Sequence, residues 1–466
     1  MQLLLILLSL ATVFAGLYVL RRQSLVNPLA IALVVTGAMG VYFPLGSMIV
    51  EPITWRNIYD IPHGVFLSTQ ADYLCFALGL SLAAIFAVNT GLLPSSASRV
   101  SGVGIMSRDT MVTLGLLTVG TALYVKFVML VGFVALTNHE NYAEKHLASQ
   151  GMGPLKLGLE WMIVACLWAE AGLVKKWLKH LCRAIAVGIV CWSVGFISSR
   201  SYVLMLFVGY AVIICQRGGY RLKSIKPSLI AGVLFAYLSL EFFVLYRGAY
   251  SGGFFATLQT LADFGVWQDH IGVVVGGSEF SHPFITCMEI EFLEDPGGLA
   301  GQSYLETPLV CVPLSFFPNR PMTLAEAFVS DQYANLSDRG GGTAFSLVAE
   351  AWWNLGAFWG PLAVGAVSGW CLVLAERQRL RRPHGLVARL LPALALLLIT
   401  AHRNTLAIVF KHSLMISLPA VGLFAAISIL LSTARTTPSR PLPGRLTGLQ
   451  PALARPVNNR AVSQER

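Results

Sequence analysis

Five arginines stand where an apolar chain ordinarily avoids them. Arg200 lies in ISSRSY, Arg247 in LYRGAY, Arg320 in FFPNRP, Arg339 at the head of RGGGTAFSLVAEAWWNLG and Arg403 in AHRNT. Several fall at the end of a long apolar run. A guanidinium fork matches phosphate oxygens with paired hydrogen bonds. Arginines at headgroup depth therefore either snorkel to lipid phosphate or clamp a ligand that carries phosphate. A departing diphosphate suits such a clamp, because charge develops on it as the bond breaks. Proton transfer needs a carboxylate or an imidazole at the same depth. Glu350 is one candidate base, and His270, His282 and His402 are rivals, since neutral histidine accepts a proton near pH 7. Ser346, Glu350 and Asn354 follow at i, i+4 and i+8 and share one helical face. Glu350 has two other readings: a clamp that holds an arginine such as Arg247 or Arg320, or a plain helix-end carboxylate. No spacing suggests a metal site and no phosphate-binding loop is present, so no metal or other cofactor is expected.

The composition says what must carry these residues. Of 466 residues, 55% are hydrophobic and 12% charged, and mean hydropathy is +0.67. Soluble domains run near a quarter charged. The chain reads as an all-α polytopic membrane protein with eleven spans at 2–20, 29–50, 72–93, 111–136, 155–174, 184–199, 201–216, 228–245, 345–374, 386–401 and 405–431. The first run is followed by Arg21-Arg22 and preceded by no base, the reverse of a secretory signal.

Lys and Arg gather in alternate loops: Arg21-Arg22, Arg99 and Arg108, Lys175 to Arg183, Arg217 to Lys226, Arg377 to Arg382, and the tail. The positive-inside rule puts these in the cytoplasm. The N-terminus is then periplasmic and the C-terminus cytoplasmic, in a bacterial inner membrane. The net charge of +10 reads as anchoring charge beside anionic lipid, not as a nucleic-acid footprint. Residues 1–245 hold eight spans, 246–343 form one large outer loop, 344–432 hold three more spans, and 433–466 make a disordered tail rich in Pro and Arg.

The outer loop carries eleven acids against three arginines and no lysine. It has apolar runs at helical spacing, Phe254–Phe264 and Phe284–Phe292. The run Tyr304–Phe317 is too short to span and is broken by Pro308 and Pro313, so it is expected at the interface or re-entering the membrane edge. Cys287 and Cys311 either form a bridge or pack as buried thiols. The run 345–375 exceeds the roughly 20 residues a span requires. Its first two or three turns are therefore expected to wall an outer cavity. Gly340-Gly341-Gly342 allows close approach of backbone to a ligand. Trp352, Trp353, Phe358 and Trp359 serve as interface anchors or as a platform for a sugar ring. Lys126, Glu241 and Lys411 are deep charges that need partners.

Four stretches together resemble the oligosaccharide repeat-unit polymerases, the Wzy-type family that builds O-antigen and exopolysaccharide chains. They are GFISSRSYVLML (195–206), YRGAY (246–250), GQSYLETPLVCVPLSFFPNRP (301–321) and GGGTAFSLVAEAWWNLGAFWGPLAVG (340–365). The chain departs from the pattern in setting Asn319 between Pro318 and Arg320. The resemblance implies an inner-membrane, GT-C-like glycosyltransferase that moves a growing glycan from undecaprenyl diphosphate onto a new lipid-linked repeat unit. Its partners would be the undecaprenyl-diphosphate-linked oligosaccharide, membrane lipid, a chain-length regulator and a flippase. Rival readings are an O-antigen ligase-like transferase and a lipid-linked oligosaccharide flippase or transporter. The transporter reading predicts two related halves, and no internal repeat is visible.

Overall fold

The computed structural model describes residues 1–22, 27–49, 61–89, 103–133, 152–193, 200–218, 259, 262–268, 278–312, 316–334 and 344–436. Among them are fourteen α-helices, one 3-10 turn and no strand. The helices are α1 (Gln2–Arg22), α2 (Pro28–Ile49), α3 (His63–Asn89), α4 (Val103–Val131), α5 (Gly153–Ala171), α6 (Lys176–Trp192) and α7 (Arg200–Gly218). There follow α8 (Ser278–Leu293), α9 (Gln302–Val310), α10 (Leu324–Gln332), α11 (Leu347–Leu355), α12 (Trp359–Arg381), α13 (Leu386–Thr400) and α14 (Leu406–Thr436). The chain is an α-helical, multi-pass membrane protein. Among the described residues, six helices are long and apolar enough to cross a bilayer: α1, α2, α3, α4, α12 and α14. Helices α5, α6, α7 and α13 overlap four more expected spans but are shorter or more charged. The expected span at 228–245 lies outside the described residues.

The run expected as one span from 345 to 374 is two helices. Gly356 has φ of 88° and Phe358 φ of 59°, and the chain turns there between α11 and α12. The first turns thus form a separate buried helix, and the span itself begins at Trp359. Trp352 packs in the core, whereas Trp359 is exposed. The outer-loop sequence contributes α8, which is not peripheral. Phe284, Ile285, Cys287 and Ile290 are fully buried with residues of α2, α3 and α11, and the Phe284 ring stacks on Tyr73 at 5.3 Å. Apolar residues at helical spacing bury this helix as they would any core helix. Cys287 and Cys311 are both free thiols.

Packing divides the bundle in two. One core joins α4, α5, α6, α7, α13 and α14. The other joins α2, α3, α8, α10, α11 and α12. Glycines set the close approaches. A Cβ at Gly79 or Gly365 would collide with backbone of the facing helix across the α3–α12 contact. A Cβ at Gly120 of α4 would lie 2.7 Å from the Gly158 carbonyl oxygen of α5. Without water to drive association, membrane helices pack through such small residues.

At one end of the bundle the basic segments meet acids. Arg389 of α13 pairs with Asp109 of α4 at 2.7 Å, with both side chains buried, and donates to the Ala171 carbonyl oxygen at 2.6 Å. Glu170 of α5 accepts from Arg183 at 2.5 Å and from Arg217 at 3.2 Å. Arg183 and Arg217 come from segments that charge bias assigns to one side of the membrane, and Arg389 joins the same end from the start of α13. Removing one partner of a buried pair strands the other charge. Arg389→Leu is therefore expected to destabilise the protein by about 3–5 kcal/mol, while Asp109→Leu with Arg389→Leu recovers only part of it, because the Leu173 N–H that Asp109 accepts is left unpaired. Thermal unfolding in detergent checks this, and a single variant as stable as wild type contradicts it.

Candidate functional site

The site lies where α9, α11 and the α13–α14 turn meet, at the opposite end of the bundle. Gly301, with φ of 85°, turns the chain into α9. Ser346 caps α11 by accepting the Ala349 N–H at 3.0 Å. The cap and the helical register place Glu350 and Asn354 on one face, as their spacing predicts, and both are buried. What that face meets was not legible in the sequence. Ser303 Oγ donates to Glu350 Oε1 at 2.8 Å, and Asn354 Nδ2 donates to Ser303 Oγ at 2.8 Å. The Leu406 N–H donates to Glu350 Oε2 at 2.5 Å. Two stretches of the resemblance, GQSY and SLVAEAWWN, are thus one hydrogen-bonded unit that also holds the start of α14.

Arg320 is not among the partners of Glu350. Both oxygens of this carboxylate are engaged by the fold, so its geometry is that of a clasp between three elements. Burial raises its pKa from 4.5 to about 7, against the opposing pull of the Leu406 N–H and Ser303 hydrogen bonds.

A second buried carboxyl cluster supports the break between α11 and α12. Asp72 Oδ1 accepts the Phe358 N–H at 2.7 Å. Asp72 Oδ2 and Glu291 Oε2 are shielded from solvent, the two carboxyls lie within hydrogen-bonding reach of each other, and Thr69 and Ser68 of α3 hydrogen-bond to Glu291. A proton on Glu291 satisfies both oxygens. Burial, then the neighbouring Asp72 charge, pushes the Glu291 pKa up. Cys287 Sγ donates to Glu291 Oε1 at 3.4 Å.

Arg320 sits at the end of α9, donating from a guanidinium nitrogen to the Val310 carbonyl oxygen. Lys411 of α14 and Glu326 stand beside one another near Arg320, and Glu326 closes the capping box of α10 with Thr323. Lys411, expected among the deep charges, therefore joins the arginine end of the outer segment. Lys126 is exposed on α4.

Arg403 lies on the 3-10 turn Ala401–Arg403. It opens onto a cavity of about 490 Å³ with Thr400, Asn404, Glu160, Ser201, Tyr202 and His412 in its wall. On the other side of the same turn, an apolar groove of about 460 Å³ runs between α3, α12 and α14, walled by Phe76, Leu80, Val364, Leu372, Leu406 and Val409.

Of the residues expected at the site, the structure brings Glu350, Arg403 and Arg320 around α9 and the start of α14. His402 is on the 3-10 turn and Arg200 opens α7, but their side chains are outside the described residues. Arg247, His270, Arg339 and Glu241 lie wholly outside them. His282 is on α8. Sequence reasoning missed Ser303, Asp72, Glu291 and Glu160. Only Glu160 left a signal, as an acid inside an apolar run, GLEWMIV. No group of acids, cysteines and histidines among the described residues has the arrangement of a metal site. Comparison with known proteins finds no family model, curated sequence or solved structure that matches the chain.

The buried carboxyls fix the sign of a pH effect. Glu350 holds its proton in the folded state to about pH 7 and releases it near 4.5 when unfolded. Between these values the folded state binds more protons, so stability falls as pH rises and levels off above about 7. The melting temperature is expected to decline from pH 5 to pH 8, with a shallower decline in Glu350→Gln. Glu291 adds a slope of the same sign. A melting temperature that rises over this window in detergent contradicts the assignment.

Proposed function

We propose that this protein is an integral-membrane, GT-C-like glycosyltransferase. It polymerises oligosaccharide repeat units carried on a polyprenyl diphosphate, undecaprenyl diphosphate in a bacterial inner membrane. The observation that carries the reading is the pairing of two cavities across one turn. A polyprenyl-diphosphate sugar has three parts with different needs. Its hydrocarbon tail needs an apolar slot at membrane depth, which the groove along α3, α12 and α14 offers. Its diphosphate needs cations at headgroup depth, where Arg403 stands between groove and cavity and Arg320 and Lys411 lie along α9 and α14. Its sugars need hydrogen-bonding groups, which Glu160, Ser201, Tyr202, Thr400, Asn404 and His412 offer within the otherwise apolar wall of the cavity beside Arg403.

In the reaction, an acceptor hydroxyl attacks the anomeric carbon and the carbon–oxygen bond to the diphosphate breaks. The electron pair leaves on the diphosphate oxygen. Arginine clamps favour that step by meeting the charge as it appears. Glu350 and Ser303 act by holding α9 and the start of α14 in register. The side of the membrane follows from charge bias: the Asp109–Arg389 and Glu170 clusters face the cytoplasm, so the cavity opens to the periplasm. A chain-length regulator and a flippase that delivers the lipid-linked unit are the protein partners this reading requires.

The test is complementation of a strain deleted for the gene, reading the glycan ladder on a gel at matched membrane expression. Arg247→Ala, Arg320→Ala, Arg403→Ala and Glu350→Ala are expected to collapse the ladder to a single repeat unit, as the deletion does. Losing one transition-state contact costs about 100-fold or more in rate. A deletion that leaves full-length polymer stranded on its lipid diphosphate identifies a ligase instead, and an unchanged ladder rejects the proposal.

A further inference from the structure

We infer that Glu160 is the catalytic base of the outer cavity, the group that takes the proton of the acceptor hydroxyl. The inference rests on the glycosyl-transfer reading above and assigns within it a role that no motif marks.

Glu160 lies on α5, two turns from its start, in the wall of the cavity that also holds Ser201, Tyr202, Arg403, Asn404 and His412. It is the one carboxylate among the described residues of that wall. Its Oε2 is shielded from solvent and has no hydrogen-bond donor. Buried polar atoms are nearly always paired, and an unpaired one calls for a reason beyond stability. A carboxylate in an apolar helix is costly, and such residues face cavities and mark function. The charges around it are Lys156, one turn earlier on α5, and Arg403, and the His412 imidazole shares the same wall. The Tyr202 ring from α7 borders it.

The position is rigid. Trp161, the next residue, donates from its indole to the Met415 carbonyl oxygen of α14 at 3.0 Å. Gly158, two residues before, lies against α4 so closely that a Cβ there would meet the Gly120 carbonyl oxygen at 2.5 Å. A catalytic group needs this support, because a small misplacement costs large factors in rate.

Glu350 is differently placed. Its two oxygens are committed to Ser303 and to the Leu406 N–H, which leaves neither free to meet a substrate hydroxyl. Glu160 has an oxygen with nothing to do until an O–H arrives. The step balances: the acceptor oxygen bonds to the anomeric carbon, the carbon–oxygen bond to the diphosphate breaks with its electron pair, and the hydroxyl proton passes to Glu160, which later returns it to water.

The experiment uses the full chain purified in detergent with a synthetic polyprenyl-diphosphate repeat unit. Turnover, retention of the lipid and melting temperature are measured together. Glu160→Gln keeps the shape and removes the basicity. It is expected to lower turnover by about 100-fold or more while lipid retention and melting temperature stay at wild-type values. Glu160→Ala is expected to recover part of its turnover when formate is added, which a purely structural role would not produce. Glu160→Gln turning over within about threefold of wild type, or losing lipid retention in proportion to turnover, overturns the assignment. Wild-type protein that makes no polymer under these conditions overturns the glycosyl-transfer reading and the assignment with it.

Discussion

Backbone N–H groups at a helix start have no partner within the helix, and in the hydrocarbon region each one left unpaired costs several kcal/mol. This constraint governs the fold wherever the chain breaks and starts again. Three breaks are closed the same way, by a carboxylate from a distant element. Asp109 accepts the Leu173 N–H between α5 and α6 at 2.9 Å. Asp72 accepts the Phe358 N–H ahead of α12 at 2.7 Å. Glu350 accepts the Leu406 N–H at the start of α14 at 2.5 Å. Each acid is buried. Each therefore needs a further partner of its own: Arg389 for Asp109, Glu291 for Asp72, Ser303 for Glu350.

The proposed site is built on the third closure. Holding Leu406 fixes the start of α14, and with it the turn that carries Arg403 and Asn404. Holding Ser303 fixes α9, whose end receives the Arg320 guanidinium. The turn separates a cavity that gathers several polar side chains in a largely apolar wall from a groove that is apolar throughout, and a lipid-linked sugar presents a division of the same kind. The Asp72 closure sets where α11 ends and α12 begins, so the span starts at Trp359 and α11 is free to wall the site. Function in this account depends on irregular backbone, tolerated because it is buried in protein.

Much of the layout was legible in the sequence. Apolar runs marked the spans because lipid selects composition directly. The excess length of the run from 345 announced a segment that does not cross the membrane, whereas the break at Gly356 came only with the structure. The i, i+4 spacing of Glu350 and Asn354 placed them on one face correctly. The partners of that face were hidden, because Ser303 lies 47 residues away and nothing local in a serine predicts which carboxylate it will meet. The Asp109–Arg389 pair joins residues 280 apart and was concealed for the same reason. Glu160 is visible in the sequence as an acid in an apolar run, but the deep charges singled out there are Lys126, Glu241 and Lys411 instead. The acids of α8 read as solvated charge on an outer loop, whereas Glu289 is buried and accepts from Tyr333 at 2.7 Å, and Glu291 is buried against Asp72. An anionic loop can still insert a helix into the core when one face is apolar.

The most direct measurement is product stoichiometry with the protein reconstituted in lipid nanodiscs and given one synthetic polyprenyl-diphosphate repeat unit. Mass spectrometry would follow chain length while free polyprenyl diphosphate is counted. The account predicts that one polyprenyl diphosphate is released for each glycosidic bond formed, with chains lengthening beyond two units. Lipid-linked units that remain single, with no diphosphate released above a protein-free control, would contradict it.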